Sequence, residues 1–442
     1  MRFLRSSWAY IFASSLATAA SLPSTPTFYK DVAPILQARC VQCHRPGEIA
    51  PMALITYQQV RPWAAAIKEA VLTKAMPPWS ADAPLGHFSN DWRLTDQQIN
   101  IVRRWAEASA PAGDPNDAPP AKSLSDGWRM GEPNVVLTLP KPQQITGNGQ
   151  DLWKYIVFEK TFDHDTWVRG LEIRPGNRKV VHHANIAVVT PVGEGPADWS
   201  KVPEDMEAPD NKGGKFPGFR IVGIHVGLPG RFWFETEPGS AVLIPKGSRI
   251  RINIHYAPAR EPATDLTQVG LYFANGRIEK KWQDLHCRLL TMKIPANDSN
   301  YRIEGTKKVT EPITVYQVGA HMHLRGKTYR IYADLPDGKS IELLNVPRFN
   351  FNWQLMYDLA KPVHLPVGTT IHYIATYDNS AANPLVLQYD TPNREVDYGE
   401  RTVDEMMGGY VMNTADSQDL GLMVDGRTGA AVNLAADASA HR

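Results

Sequence analysis

Between Ala110 and Ser123 the chain passes prolines at 111, 115, 119 and 120, with alanine and aspartate between them. Proline fixes φ and removes an amide donor, so this stretch suits neither a helix interior nor a central strand. It divides two textures. Before it, Val60, Trp63, Ala64, Ile67 and Val71 recur at three-to-four spacing, as do Ile99, Val102, Trp105 and Ala106. Thr95 with Gln98 forms a capping box that opens the last of these helices. Beyond residue 130 the runs are short and alternating: Val135–Leu139, Leu152–Phe158, Arg249–Tyr256, Ile313–His323 and Thr369–Tyr377. Pro245-Lys246-Gly247 and Pro336-Asp337-Gly338 mark turns between such runs. The expected architecture is multidomain. A small all-α domain over 27–110 and a proline-rich linker over 111–130 precede two all-β antiparallel sandwiches of jelly-roll type, 131–284 and 285–426. An alanine- and aspartate-rich tail, 427–442, is expected to be flexible.

The N-terminus carries Arg2 and Arg5, an apolar stretch from Trp8 to Ala20 and small residues at Ala17-Thr18-Ala19. That pattern reads as an export signal over 1–20, which places the mature chain in the periplasm or outside the cell. The stretch is short for a bilayer span, and no other segment has about 18 consecutive apolar residues, so no stable membrane insertion is expected. Lys+Arg number 47 against 46 Asp+Glu, and no long basic block stands out. That balance argues against nucleic acid as the main partner.

The chain holds 3 cysteines and 13 histidines. Three cysteines cannot build a disulfide framework, and two of them lie in Cys40-Val41-Gln42-Cys43-His44. At this C-x-x-C-H spacing each thiol can bond a heme vinyl group, and the adjacent His44 becomes an axial iron ligand. A redox pair would sit in a βαβ context and a zinc site would need a second ligand pair; neither is present. The segment resembles class I cytochrome c in this motif, its flanking helices and the helical stretch that follows. Covalent heme c is the expected cofactor. Met76, in Ala75-Met76-Pro77-Pro78-Trp79, is the favoured sixth ligand, with Met52 and His87 as rivals.

Ten histidines fall in the β region. His182-His183 is a tandem pair in an apolar run. Adjacent strand side chains face opposite ways, so both can reach one metal only at a bulge or strand end. In Arg249–Tyr256, Ile250, Ile252 and Ile254 share one face, while Arg249, Arg251, Asn253 and His255 share the other, which puts His255 off the sandwich core. His321 and His323 are i, i+2 neighbours opposite Val318, Ala320, Met322 and Leu324. Asp404-Glu405-Met406-Met407 sets two thioethers beside two carboxylates. Cys287 reads as a lone buried thiol.

His182-His183, His255, His321-x-His323 and Asp404-Glu405-Met406, in that order, resemble the copper type II, ascorbate-dependent monooxygenases, the family of peptidylglycine hydroxylase and dopamine β-monooxygenase. The run Tyr377-Asp378-Asn379-Ser380 with Asn383-Pro384 extends the likeness, which covers about residues 130–415. It implies two β-sandwiches with one copper ion each. His182, His183 and His255 would hold the electron-transfer copper, and His321, His323 and Met406 the copper that meets O₂. Met407 stays an alternative to Met406, and His225 to His255. Tyr410 matches a tyrosine of the family's substrate site. Gly319 stands where the peptide-hydroxylating member has an arginine, and Gly408 replaces an asparagine, which argues against a glycine-extended peptide. The implied activity is hydroxylation of a C–H bond in a small organic substrate with O₂, electrons entering from an external donor through the heme. The competing class is a non-enzymatic electron-transfer or copper-binding protein.

Overall fold

The computed structural model describes residues 25–120, 127–149, 152–193, 197–202, 205–207, 218–227, 231–257 and 259–432, apart from the side chains of 207 and 224–226. The expected export signal over 1–20 lies outside the described residues, as does the tail beyond 432. Among the described residues no helix is long and apolar enough to cross a membrane.

The N-terminal region departs from the all-α domain expected there. Its α-helices are short: α1 (Ala33–Arg39), α2 (Tyr57–Val60), α3 (Ala64–Leu72) and α4 (Asp96–Glu107). Across the chain strand accounts for 40% and helix for 14%, and no sizeable all-α, cytochrome-like domain is formed. The capping boxes Thr56/Gln59 and Thr95/Gln98 both form, and Phe28, Val32, Leu36, Ile67, Val102 and Trp105 gather into a small core. Residues 75–92, however, are not helical. Pro77, Pro78 and Pro84 each remove an amide donor there, so the segment takes its hydrogen bonds from elsewhere. Asp82 N–H donates to Asn345 O at 2.8 Å, Ser89 N–H to Asp358 O at 2.8 Å, and Asn90 Nδ2 to Met356 O at 2.8 Å. Ala81 and Phe88 are buried in the core of the second sandwich. The expected helical domain is thus a small helical cluster with a strap that belongs to the β region.

Two pairs of sheets follow. In the first sandwich, one sheet runs Val135–Thr138, Gln268–Phe273, Thr166–Arg174, Ser240–Ile244 and Lys280–Lys281, and Trp233–Glu235 joins Thr166–Arg174. Its partner sheet runs Asp205–Glu207, Leu152–Thr161, Arg249–Tyr256, Val181–Pro191 and Phe219–Gly227. Ile156, Ile186 and Ile252 from one sheet meet Val168, Leu171 and Leu271 from the other. In the second sandwich, Gly408–Ala415, Ile313–His321 and Met356–Leu365 form one layer, and Tyr301–Lys308, Thr370–Tyr377, Gly326–Asp334 and Ser340–Val346 the other. Val315, Val318, Tyr329, Ile331 and Tyr373 fill the space between.

The sandwiches touch where Trp282 stacks on Tyr316, ring centroids 5.4 Å apart, and where Arg231 pairs with Asp358 at 2.6 Å. After residue 420 the chain returns to the first sandwich. Leu422–Val424 pairs with Gly276–Ile278, Ala431–Val432 closes the ribbon, and Trp167 N–H donates to Gly429 O. Residues 427–432, expected as flexible tail, are therefore part of this ribbon.

Candidate functional site

The tandem histidines are resolved by a register shift. His255 pairs with His183, but the next residue, Tyr256, pairs with Val181, so His182 is the extra residue of a β-bulge. The bulge brings both imidazoles to one side. His182, His183 and His255 place ligand nitrogens within 4.8 Å of one another, and their ring centroids are all 5.1 Å apart. His255, paired across the sheet with Trp153, also stacks on its indole at 4.2 Å and 7°. It points off its own core as the alternation requires, yet it is 1% exposed because the second sandwich covers it. Thr402 Oγ from that sandwich lies 3.3 Å from His255 Nε2.

His321 ends its strand and His323 follows in the turn, with ring centroids 5.1 Å apart. Both rings are oriented through Nδ1. His323 Nδ1 hydrogen-bonds Asp404 O at 3.1 Å, and His321 Nδ1 hydrogen-bonds Gln354 Oε1, whose own amide donates to Phe351 O. A donor at Nδ1 leaves Nε2 as the lone-pair nitrogen, the arrangement metal-binding histidines use. His183 Nε2 and His323 Nε2 are buried with no hydrogen-bond partner. Burial, reinforced by the neighbouring imidazoles, holds His183 and His323 well below the usual histidine range. Burial likewise takes His321 to about 4. All three are neutral, as ligands must be.

Glu405 organises this turn. Its carboxylate accepts the backbone N–H groups of His323 (2.8 Å), Arg325 (2.6 Å) and Met406 (3.2 Å). Arg325, fully buried, donates to Asn379 Oδ1, Val403 O and Asp390 Oδ2. Asn383 donates to Leu324 O and Asp378 O. The polar runs around 378–383 and 404–406 are thus the clamps that hold the His-Met-His turn.

The two histidine groups are one cluster: His183 and His321 have ring centroids 6.0 Å apart across the sandwich junction. Phe351 packs beside it, 5.1 Å from His182 and 6.2 Å from His323. Met406 and Tyr410 line a cavity of about 790 Å³ that opens from His321. Met407 is fully buried in the second core, so Met406 is the more available thioether. A Cβ at Gly319 would lie 2.3 Å from Met356 Sδ, so the methionine occupies the space beside this glycine. One at Gly408 would approach His321 Cβ to 3.1 Å. The His225 side chain lies outside the described residues. Cys287 is buried against Gly305, where a Cβ would sit 2.5 Å from its sulfur, and burial pushes its thiol up.

Cys40, Cys43, His44, Met52 and Met76 line a second cavity, of about 610 Å³. His44 Nδ1 hydrogen-bonds Met52 O at 3.2 Å, which leaves its Nε2 as lone pair. Burial pushes the Cys40 thiol up to about 12 and the Cys43 thiol to about 11. His87 does not line this cavity; it packs on Phe88 at 4.6 Å. Arg129 and Arg231 contribute positive charge to the wall.

Segment 351–356 lies between the cysteine cavity and the histidine cluster. Phe351 and Gln354 touch the histidine cluster, Trp353 and Leu355 line the cysteine cavity, and Met356 lines both.

No family model matches the chain, and no curated protein does. Among solved structures, the major capsid protein P2 from Bacteriophage PM2 aligns at TM-score 0.23 and 8% identity, over 64% of this chain and 97% of its own. A PBCV-1 virus capsid aligns at TM-score 0.20 and 10% identity (67% and 98%). An allantoicase aligns at 0.17 and 10% (51% and 77%). Scores this low carry neither a fold nor a function to this chain.

Sequence reasoning missed Trp153, Phe351, Gln354 and Thr402. None carries a local signal: Trp153 reaches the cluster across a strand pair, Phe351 and Thr402 across the sandwich junction, and Gln354 from an irregular segment 33 residues from His321.

Proposed function

We propose that the chain is an exported copper-dependent monooxygenase that hydroxylates a C–H bond of a small organic substrate. The carrying observation is the five-histidine cluster at the sandwich junction, with buried, partnerless Nε2 atoms on His183 and His323, opening on a cavity large enough for a substrate. His182, His183 and His255 would hold one copper ion, and His321, His323 and Met406 a second. Imidazole suits both copper oxidation states, and a thioether favours Cu(I). Bound copper would supply the redox chemistry: O₂, the substrate C–H bond, two electrons and two protons become an alcohol and water. The chain's own part is to keep the imidazoles neutral, to fix His321 and His323 through Gln354 and Asp404, and to admit substrate beside Met406 and Tyr410.

The cysteine cavity fits covalent heme c. Both thiols and the oriented His44 line it and would hold the heme, with Met76 the favoured further ligand and Met52 its rival. Heme there would supply single electrons from an external donor. Replacing Cys40 and Cys43 with serine is expected to abolish heme that survives denaturing gel electrophoresis, while copper content is unchanged. Heme that still co-migrates with the double variant would end this assignment.

Copper and heme quantitation should give about two copper per heme. Under anaerobic conditions, protein with reduced heme and Cu(II) in its histidine sites should oxidise its heme by intramolecular transfer to copper. A heme that stays reduced beside oxidised copper refutes the coupling. Two bound copper ions with no O₂ consumption for any substrate would instead select the competing reading, a copper-binding or electron-transfer protein.

A further inference from the structure

The outward face of Arg249–Tyr256 carries Arg251, Asn253 and His255 in succession, so the side that supplies a histidine to the cluster also supplies a guanidinium two strand steps away. Arg251, Asn253 and Arg288 all line the cavity that opens from His321 and Met406. Arg288 comes from the second sandwich, in the short strand Cys287–Arg288. The two cations therefore meet across the junction. Burial, with the like charge of Arg288 second, pushes Arg251 down to about 10, and burial also lowers Arg288. Arg251 lies over the Tyr155 ring at 4.7 Å and Arg288 over Tyr398 at 5.1 Å, which holds each guanidinium plane in place.

Two carboxylates share the cavity. Glu400 stands 3.4 Å from Arg288, and Asp284 lies beside His286 at 3.5 Å. Burial pushes both up to about 7, which favours their uncharged forms. A planar carboxylate offers two acceptors to a guanidinium fork, so a cavity lined by two such forks suits that group. Arg231 also lines the cavity but is paired with Asp358 at 2.6 Å.

We infer that the cavity takes small organic carboxylates, held by Arg251 and Arg288 at one end with the remainder of the molecule directed toward His321 and Met406. The inference rests on the monooxygenase reading for its meaning, because it names the substrate class of that site. Binding itself requires no turnover and can be read separately.

The test uses the full chain as isolated and three probes of one shape: 3-phenylpropionate, 3-phenylpropanol and 3-phenylpropylamine, titrated by calorimetry. 3-Phenylpropionate is expected to bind at least about tenfold more tightly than either of the others. Arg251→Gln and Arg288→Gln should each weaken 3-phenylpropionate about tenfold and leave 3-phenylpropanol within about twofold. Arg251→Lys and Arg288→Lys, which keep the charge, should retain part of the preference. The proposal is overturned if the three probes bind alike, if none binds, or if the glutamine variants keep the preference. Equal loss of all three probes in those variants overturns it too, since that marks a collapsed cavity. A carboxylate preference in protein that binds no copper would leave this inference standing and remove the oxygenase reading.

Discussion

Replacing Arg325 with methionine is expected to destabilise the chain by about 3–5 kcal/mol, the usual cost of breaking a buried, hydrogen-bonded ion pair from one side. Arg325 is fully buried, and its three donor nitrogens are committed to Asn379, Val403 and Asp390. Methionine fills much of the volume but leaves the Asn379 and Val403 oxygens without this donor and weakens the pairing of Asp390, which keeps Arg394. Thermal unfolding followed by circular dichroism should fall by roughly 10 °C. The loss should reach the metal site, because the backbone N–H of Arg325 shares the Glu405 carboxylate with that of His323. A variant within about 1 kcal/mol of the parent would show that these clamps are dispensable.

His323→Ala should have a larger effect on chemistry and a smaller one on folding. It removes a ring whose Nδ1 is oriented by Asp404 O and whose Nε2 has no other partner. Loss of an outer-shell partner alone typically costs about 10–100-fold in metal affinity, and loss of a ligand costs more. Copper bound in equilibrium dialysis should fall from about two to about one per chain, O₂ consumption should vanish, and covalent heme should be unchanged. His183→Ala should likewise leave about one copper, removing the other ion. Either variant retaining two ions would place the metals on other residues.

Legibility in the sequence followed the range of the interactions. The alternation in Arg249–Tyr256 places His255 and Arg251 on one face because strand periodicity is local. Thr95 and Gln98 announce a helix start for the same reason. The tandem pair is different: side-chain alternation alone separates His182 from His183, and only the pairing of Tyr256 with Val181 reveals the bulge that unites them. The all-α expectation for 27–110 failed on residues 75–92. Trp79 and Phe88 look like core residues of a helical unit, but the intervening prolines deny it helix, and these side chains pack against the second sandwich. The partners that orient the cluster join distant positions: Gln354 with His321, Thr402 with His255, Asp404 with His323. No local pattern encodes such contacts.

The strip from Phe351 to Met356 acts as a party wall between two rooms. Consecutive side chains serve opposite tenants, Trp353 the thiols and Gln354 the imidazoles. Its chemistry can therefore change one residue at a time, but its length cannot. Deleting a single residue there would shift the indole and the amide together, so both rooms are expected to lose a wall side chain at once.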